Sequence, residues 1–222
     1  MPRIVDLSVP IEPHFRWPME RSLKSDFARG DAFQVTWLGL AVHGYTHIDA
    51  PRHILPDGPT SSATPLDQTC GAAAIVELSH LPANSEITAD DLAVCGSHLR
   101  HGDIALLRTR WDEKRSLHSR EFWTQSPYLS RSACQWLLDR KIKALVPDFP
   151  QDYPIRLLLD GECRPLEEFV SHDVLLRNGV ILIEYACNFG ALAGPRTTIY
   201  ALPLSLPDAD GAPARVIAVE PD

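Results

Sequence analysis

The stretch His43-Gly44-Tyr45-Thr46-His47-Ile48-Asp49-Ala50-Pro51-Arg52-His53 gathers three histidines and one aspartate into eleven residues. A helix would put His43 and His47 on one face but would turn Asp49 about 200° away from His47, and Gly44 and Pro51 both disfavour a helix. In an extended chain residues 43, 45, 47 and 49 share one face, so both imidazoles and the carboxylate can point the same way. Full extension leaves the Cα atoms of His43 and His47 about 13 Å apart at ~3.3 Å per residue, near the limit for two imidazoles reaching one ion at ~2 Å each. A bend or bulge is therefore expected at Gly44, where a positive φ costs little. The pattern points to a metal: His, Asp and Glu donors without thiolate suit Zn²⁺, Mn²⁺ or Fe²⁺. It is not the helical H-E-x-x-H motif, which places a Glu directly after the first His.

Working outward, a second candidate half-site lies in Ser171-His172 and in the run Val180-Ile181-Leu182-Ile183-Glu184-Tyr185. An ionised carboxylate inside such a run is costly to bury unless it is paired, hydrogen-bonded or metal-bound. The alternative for Glu184 is an edge strand with the carboxylate facing water, and His172 taken alone reads as a surface residue at a helix start. Ser171 caps a helix through Arg177 on this reading, with Gly179 in the left-handed position beyond its end. Strands are expected at Ile4 to Val9, Phe33 to Val42, Ala72 to Leu78, Ile104 to Thr109, Ala144 to Val146, Val180 to Tyr185 and Thr197 to Leu206. Thr88 and Asp91 form a capping box for a short helix, Ala89 to Val94, ending near Gly96, and Ser130 or Ser132 caps another through Arg140. Strands outnumber long helices and several are joined by short ones, so the class is α/β or α+β with a mixed sheet.

The whole chain bounds the function. Its 222 residues, 45% of them hydrophobic, exceed one typical domain of roughly 150 residues, yet neither a repeat nor a Pro-rich linker marks a boundary among its nineteen Pro, so 1–222 is read as one domain. A formal charge of −8, with no Lys/Arg run longer than a pair, excludes nucleic acid and anionic membranes as partners. No segment has the ~20 apolar residues of a membrane span, and the opening Met1 to Asp6 lacks a signal-peptide core, so a cytoplasmic location is expected. Cys70, Cys95, Cys134, Cys163 and Cys187 are odd in number, with no C-x-x-C pair, and read as reduced thiols.

Taken together, the two clusters resemble the cyclase family of metal-dependent hydrolases, which includes bacterial kynurenine formamidases and isatin hydrolases. The family motif H-x-G-T-H-x-D-x-P-x-H is matched by His43, Thr46, His47, Asp49, Pro51 and His53. Val5-Asp6-Leu7-Ser8, Arg16-Trp17-Pro18, Pro65-Leu66-Asp67 before Gly71, Gly102-Asp103-Ile104 leading to Leu106-Leu107-Arg108-Thr109, and Ser171-His172 to Glu184 extend the likeness over nearly the whole chain. One position departs: the Gly before Thr-His is Tyr45 here, which displaces the bend by one residue and offers an aromatic ring to the pocket. The resemblance implies a swivelling β/β/α domain with a barrel-like mixed sheet, assembled as a homodimer or higher homo-oligomer. It implies that His43, His47, Asp49 and Glu184 bind one divalent ion, Zn²⁺ or Mn²⁺. Asp49 and Glu184 could bridge to a second ion held by His172. His53 would be the catalytic proton carrier, with Trp17 and Phe15, beside Tyr45, contacting a small-molecule substrate.

The chemistry that follows is hydrolysis of a C–N bond in an amide, formamide or cyclic amide of a small aromatic substrate, arylformamidase-like. Such hydrolysis needs an activated water, a polarised carbonyl, and a group of near-neutral pKa that delivers a proton to the leaving nitrogen. The rivals are a cyclase or lactone-type ring hydrolase on the same site, and a non-catalytic metal-dependent binding protein. A Ser-His-Asp hydrolase is disfavoured because no G-x-S-x-G elbow is present.

Overall fold

Branched and apolar runs become strands, and the computed structural model, which describes residues 2–220, shows twelve of them. These are β1 (Arg3–Asp6), β2 (Met19–Ser25), β3 (Val35–Leu40), β4 (His47–Asp49), β5 (Cys70–Glu77), β6 (Glu86–Ile87), β7 (Ile104–Arg108), β8 (Tyr128–Leu129), β9 (Ala144–Pro147), β10 (Ile181–Glu184), β11 (Arg196–Pro203) and β12 (Gly211–Glu220). Seven close into a barrel-like mixed sheet in the order β12-β11-β5-β7-β9-β10-β4, because β4 pairs with β12 as well as with β10. Within the ring the run β5-β7-β9-β10 is parallel and the other pairings are antiparallel, while β6 and β8 form a separate parallel pair. β1 lies outside the ring against β12, while β2 and β3 form a separate hairpin.

Both faces of the parallel strands are buried, and the two-residue period sorts their side chains. Ala73, Ile75, Ile104, Leu106, Ala144, Val146, Ile181 and Ile183 fill one core with Ile48 and Val216. Their alternates Ala74, Val76, Ala105, Leu107, Leu145 and Leu182 join the other, together with Leu92, Ala133 and Leu137 from the helices. At ~25 cal/mol per Å² of apolar surface buried, this two-sided burial is the main favourable term for the sheet. The helix Ala89–Cys95 carries the expected Thr88/Asp91 capping box, and Ser130, rather than Ser132, caps Arg131–Asp139 by accepting from the Ala133 amide at 3.1 Å.

Several expectations shift. The first strand ends at Asp6, with only a bridge from Ser8 to Ala186 beyond it, and the strand ending at Val42 stops at Leu40. β11 ends at Pro203 rather than Leu206. Ser171 does not cap a helix; residues Ser171–Leu175 form a single wide π turn, and Gly179 does take the left-handed conformation, at φ 82°. The bend before Thr46 is not at Gly44. Tyr45 itself adopts φ 60°, so the aromatic residue occupies the backbone conformation that the family's Gly would take. For a residue with a Cβ that conformation costs roughly 1–2 kcal/mol, and burial of the ring against Trp17 offsets it. Among the described residues, no helix is long and apolar enough to cross a membrane.

Candidate metal centre

Register builds the site. Residues 42–46 turn, so His43 lies before the strand rather than in it, and β4 holds only His47, Ile48 and Asp49. Ile48 points into the inner core, which sends His47 and Asp49 to the opposite face. There β10 pairs antiparallel with β4, placing Glu184 opposite His47 and Leu182 opposite Asp49. Glu184 is therefore no edge residue: β10 is flanked by β9 and β4, and its carboxylate is buried. Gly211 faces Asp49 from β12, and a Cβ there would lie 2.7 Å from the His43 ring and 2.7 Å from the Ile48 carbonyl oxygen. Only glycine admits His43 at that distance.

The donor atoms converge. His47 Nδ1 donates to the Tyr45 carbonyl oxygen at 2.9 Å, which fixes the tautomer and turns Nε2 inward. His47 Nε2 lies 3.1 Å from Asp49 Oδ1 and 3.8 Å from Glu184 Oε2. His172 Nδ1 donates to Asp152 Oδ2 at 2.6 Å, and its Nε2 lies 3.4 Å from Asp49 Oδ2 and 3.6 Å from Glu184 Oε1. Two pairs of carboxylate oxygens thus face two imidazoles. Ligands at ~2.0–2.2 Å in tetrahedral array are themselves about 3.3 Å apart, the scale of these separations. His47 Nε2 and Asp49 Oδ2 are buried without any hydrogen-bond partner. Orphaned buried polar atoms are rare in a stable fold, and here they belong to a buried trio, His47, Asp49 and Glu184, whose ligand atoms lie within 4.8 Å of one another, an arrangement that a cation satisfies. The residues therefore fit a divalent ion, and the two oxygens of each carboxylate give geometry for one ion or two.

His43 and His53 occupy the other side of Asp49. His43 Nδ1 lies 2.7 Å from Asp49 Oδ1 and its Nε2 lies 2.8 Å from Asp210 Oδ2. Burial opposes the charged form of this imidazole, but Asp49 and Asp210 prevail and raise its pKa to about 9. His53 ends the short turn Pro51–His53, its ring 4.0 Å from that of His43 and 5.6 Å from that of His172. Its Nδ1 is 3.5 Å from Asp210 Oδ2. Burial lowers the His53 pKa, so the imidazole is neutral at pH 7 and can accept a proton. Burial opposes the charged form of His172 too, yet Asp152 and Asp49 hold its pKa well above the usual imidazole range.

These groups open onto a cavity of about 380 Å³ lined by the polar His43, Asp49, His53, His172 and Glu184 together with the apolar Ile54, Ile155, Leu158, Leu166 and Phe169. Trp17 and Tyr185 also line it. Two expected pocket residues are placed elsewhere. Tyr45 is buried behind Trp17, with ring centroids 4.9 Å apart, and its hydroxyl donates to the Glu12 carbonyl oxygen at 2.6 Å. Phe15 is 54% exposed, stacked on His14 at 4.8 Å, and lies on a neighbouring depression of the surface.

Three residues belong to the site without being foreseen. Asp152 accepts from the Ser171 amide at 2.7 Å, the Ser171 hydroxyl at 2.6 Å and His172. Gln151 donates from Nε2 to Glu184 Oε1 and to the Ser171 hydroxyl. Asp210 joins His43 and His53 from the turn before β12. Gln151 and Asp152 follow an apolar parallel strand, where ligand sites in such sheets collect; that was the available signal. For Asp210 there was none short of knowing that β12 pairs with β4.

Comparison with known proteins agrees with this architecture. The family model described as "Putative cyclase" matches residues 5–151. Kynurenine formamidase of Bacillus mycoides (strain KBAB4) is 27% identical over 218 residues, covering 96% of this chain and 95% of that protein. A protein described as a predicted metal-dependent hydrolase from Bacillus stearothermophilus superposes with a TM-score of 0.75 at 25% identity over the full length of both chains. Isatin hydrolase A from Labrenzia aggregata, bound to benzyl benzoate, superposes at 0.82 over 100% of this chain and 94% of its own, and at 21% identity it speaks for the fold alone. The chain belongs to the cyclase family. It is a hydrolase of that family, with a His/Asp/Glu cluster suited to a metal ion.

Proposed function

We propose that the protein is a metal-dependent amidohydrolase cleaving the C–N bond of an amide, formamide or cyclic amide in a small aromatic substrate. The observation that carries this reading is the pair of orphaned buried atoms, His47 Nε2 and Asp49 Oδ2, beside His172 and Glu184 at the end of a largely apolar cavity that also holds His53. The likeness to kynurenine formamidases supports the formamide arm. His47, Asp49, Glu184 and His172 would hold one or two divalent ions, Zn²⁺ or Mn²⁺, with His43 contributing through the nitrogen that faces Asp49. A divalent ion so held supplies an acidified water and polarises the substrate carbonyl.

The chain's own groups supply the rest. His53, neutral at pH 7, takes a proton at its imidazole and returns it to the leaving nitrogen. Asp210 orients His43 and His53 from the far side. Ile54, Ile155, Leu158, Leu166 and Phe169 keep bulk water from the reacting bond, and Trp17 presents its indole to an aromatic ring. Metal-replete protein should hydrolyse members of a panel of formanilides, isatin-like lactams and lactones, the summed product mass standing one water above substrate: two products from a formanilide, one ring-opened product from a lactam or lactone. A summed product mass equal to the substrate's, or one water below it, would point to a cyclase. His53→Ala should keep stoichiometric metal while kcat falls roughly 10²- to 10⁴-fold; loss of metal instead would make His53 a ligand.

We propose further that the partner in solution is a second copy of this chain. The hairpin of β2 and β3 exposes Trp37, Leu38 and Val35 at 41–42% each, and a two-stranded hairpin is marginally stable alone. Light scattering should give at least twice the chain mass; a monomer at micromolar concentration would refute it.

A further inference from the structure

Among the described residues, Arg16 is the only arginine or lysine lining the cavity. Arg108, Arg120, Arg131, Arg196 and Arg215 each meet a carboxylate. The Arg16 side chain, by contrast, forms neither an ion pair nor a hydrogen bond among the described residues; its recorded hydrogen bond is through the backbone amide, to His14 Nδ1 at 3.1 Å. It is half-buried, with its guanidinium carbon 4.6 Å from the centroid of the buried Trp123 ring. Stacking covers one face of the guanidinium and leaves its N–H edges free, the arrangement in which arginine grips a carboxylate through two parallel hydrogen bonds. A half-buried cation with no protein counter-charge, beside the apolar wall of Ile155 and Leu158, lacks the partner that such burial ordinarily requires.

We infer that Arg16 is a specificity-determining anchor for a carboxylate carried by the substrate away from the scissile bond. This rests on the amidohydrolase reading of the same site and narrows it: the substrate is an aromatic amide bearing an anionic carboxylate. A cavity of about 380 Å³ has room for one substituted ring and little more. The ring lies along the apolar wall, the carboxylate meets Arg16, and the amide carbonyl meets the histidine and carboxylate cluster. No group within the enzyme has to change charge for this recognition.

The test compares formanilide with the three isomeric formamidobenzoates on metal-loaded wild type, Arg16→Gln and Arg16→Lys. Wild type should favour at least one formamidobenzoate. In Arg16→Gln the kcat/KM ratio of that substrate to formanilide should fall roughly 10- to 100-fold, carried by KM, as loss of a charge-assisted bidentate contact requires. Arg16→Lys, which keeps the charge and loses the fork, should recover part of the ratio. An unchanged ratio in Arg16→Gln, or a wild type that prefers formanilide to every isomer, overturns the inference. Calorimetry with benzoate and its neutral counterpart benzamide gives a readout without turnover: benzoate should weaken selectively in Arg16→Gln, and equal benzoate affinity in both proteins overturns the anchor. If wild type hydrolyses none of the four anilides, the hydrolase reading fails while the calorimetric arm still decides the role of Arg16.

Discussion

Asp49 and His43 concentrate the electrostatics of the site at the scale of single residues. Asp49 is fully enclosed, and although burial disfavours its charge, His47, His172 and His43 hold it well below the usual carboxylate range. His43 is the titratable hinge. Its folded pKa of about 9 lies above the ordinary value of 6.5. The stability it contributes to chelator-treated protein is therefore full below pH 6.5 and lost as pH rises through 9. A melting curve of chelated protein should shift downward across that window, and metal-loaded protein should show a flatter profile because the ion displaces the proton; a flat profile in chelated protein would argue against the pairing with Asp49 and Asp210. Asp210→Asn should weaken metal affinity or turnover roughly 10- to 100-fold, the usual consequence of losing a carboxylate behind a metal-facing histidine, with competitive chelation as the check.

The element that matters most is β4, three residues long and yet bonded on both sides. Its pairings with β10 and β12 bring residues 47, 49, 184 and 211 together and close the barrel in the same step. The metal-site chemistry was readable from H-x-x-x-H-x-D, because alternation along a strand forces His47 and Asp49 to one side. The geometry around His43 was not, because the turn before β4 takes it out of the alternation. Nor was the fate of Tyr45: sequence alone offers glycine as the residue for a positive φ, and here tertiary packing of the Tyr45 ring overrides that preference. The π turn Ser171–Leu175 is held by Asp152, not by a serine cap. Asp152→Ala would strand the Ser171 amide, the Ser171 hydroxyl and His172 Nδ1, at ~1–3 kcal/mol for each unpaired donor. Urea unfolding should show a loss of at least about 3 kcal/mol, and a loss below 1 kcal/mol would show that water replaces the carboxylate.

For the molecule as a whole, the parallel strands β5, β7, β9 and β10 were legible because each is centred on an apolar run buried on both faces. β12 and the first hairpin strand, β2, were not, whereas β3 falls inside the expected Phe33 to Val42. β12, in Gly211-Ala212-Pro213-Ala214-Arg215-Val216, mixes small, proline and charged residues, and its role depends on partners almost 170 positions away in sequence. The hairpin strand Met19–Ser25 is mostly polar and exposed, so no hydrophobic period marks it. Ring closure therefore had to come from the family resemblance rather than from local pattern, whereas the function class was already implied by the ligand set. The central claim is that one cavity holds a divalent cation and uses it to hydrolyse an amide. Its most direct measurement is turnover of formanilide and the formamidobenzoates by chelator-treated protein as Zn²⁺ or Mn²⁺ is added in molar equivalents. The account predicts no turnover without metal, saturation at one or two equivalents per chain, and abolition again by chelator. Turnover that is independent of added metal, or a fully loaded protein that hydrolyses none of these substrates, would contradict it.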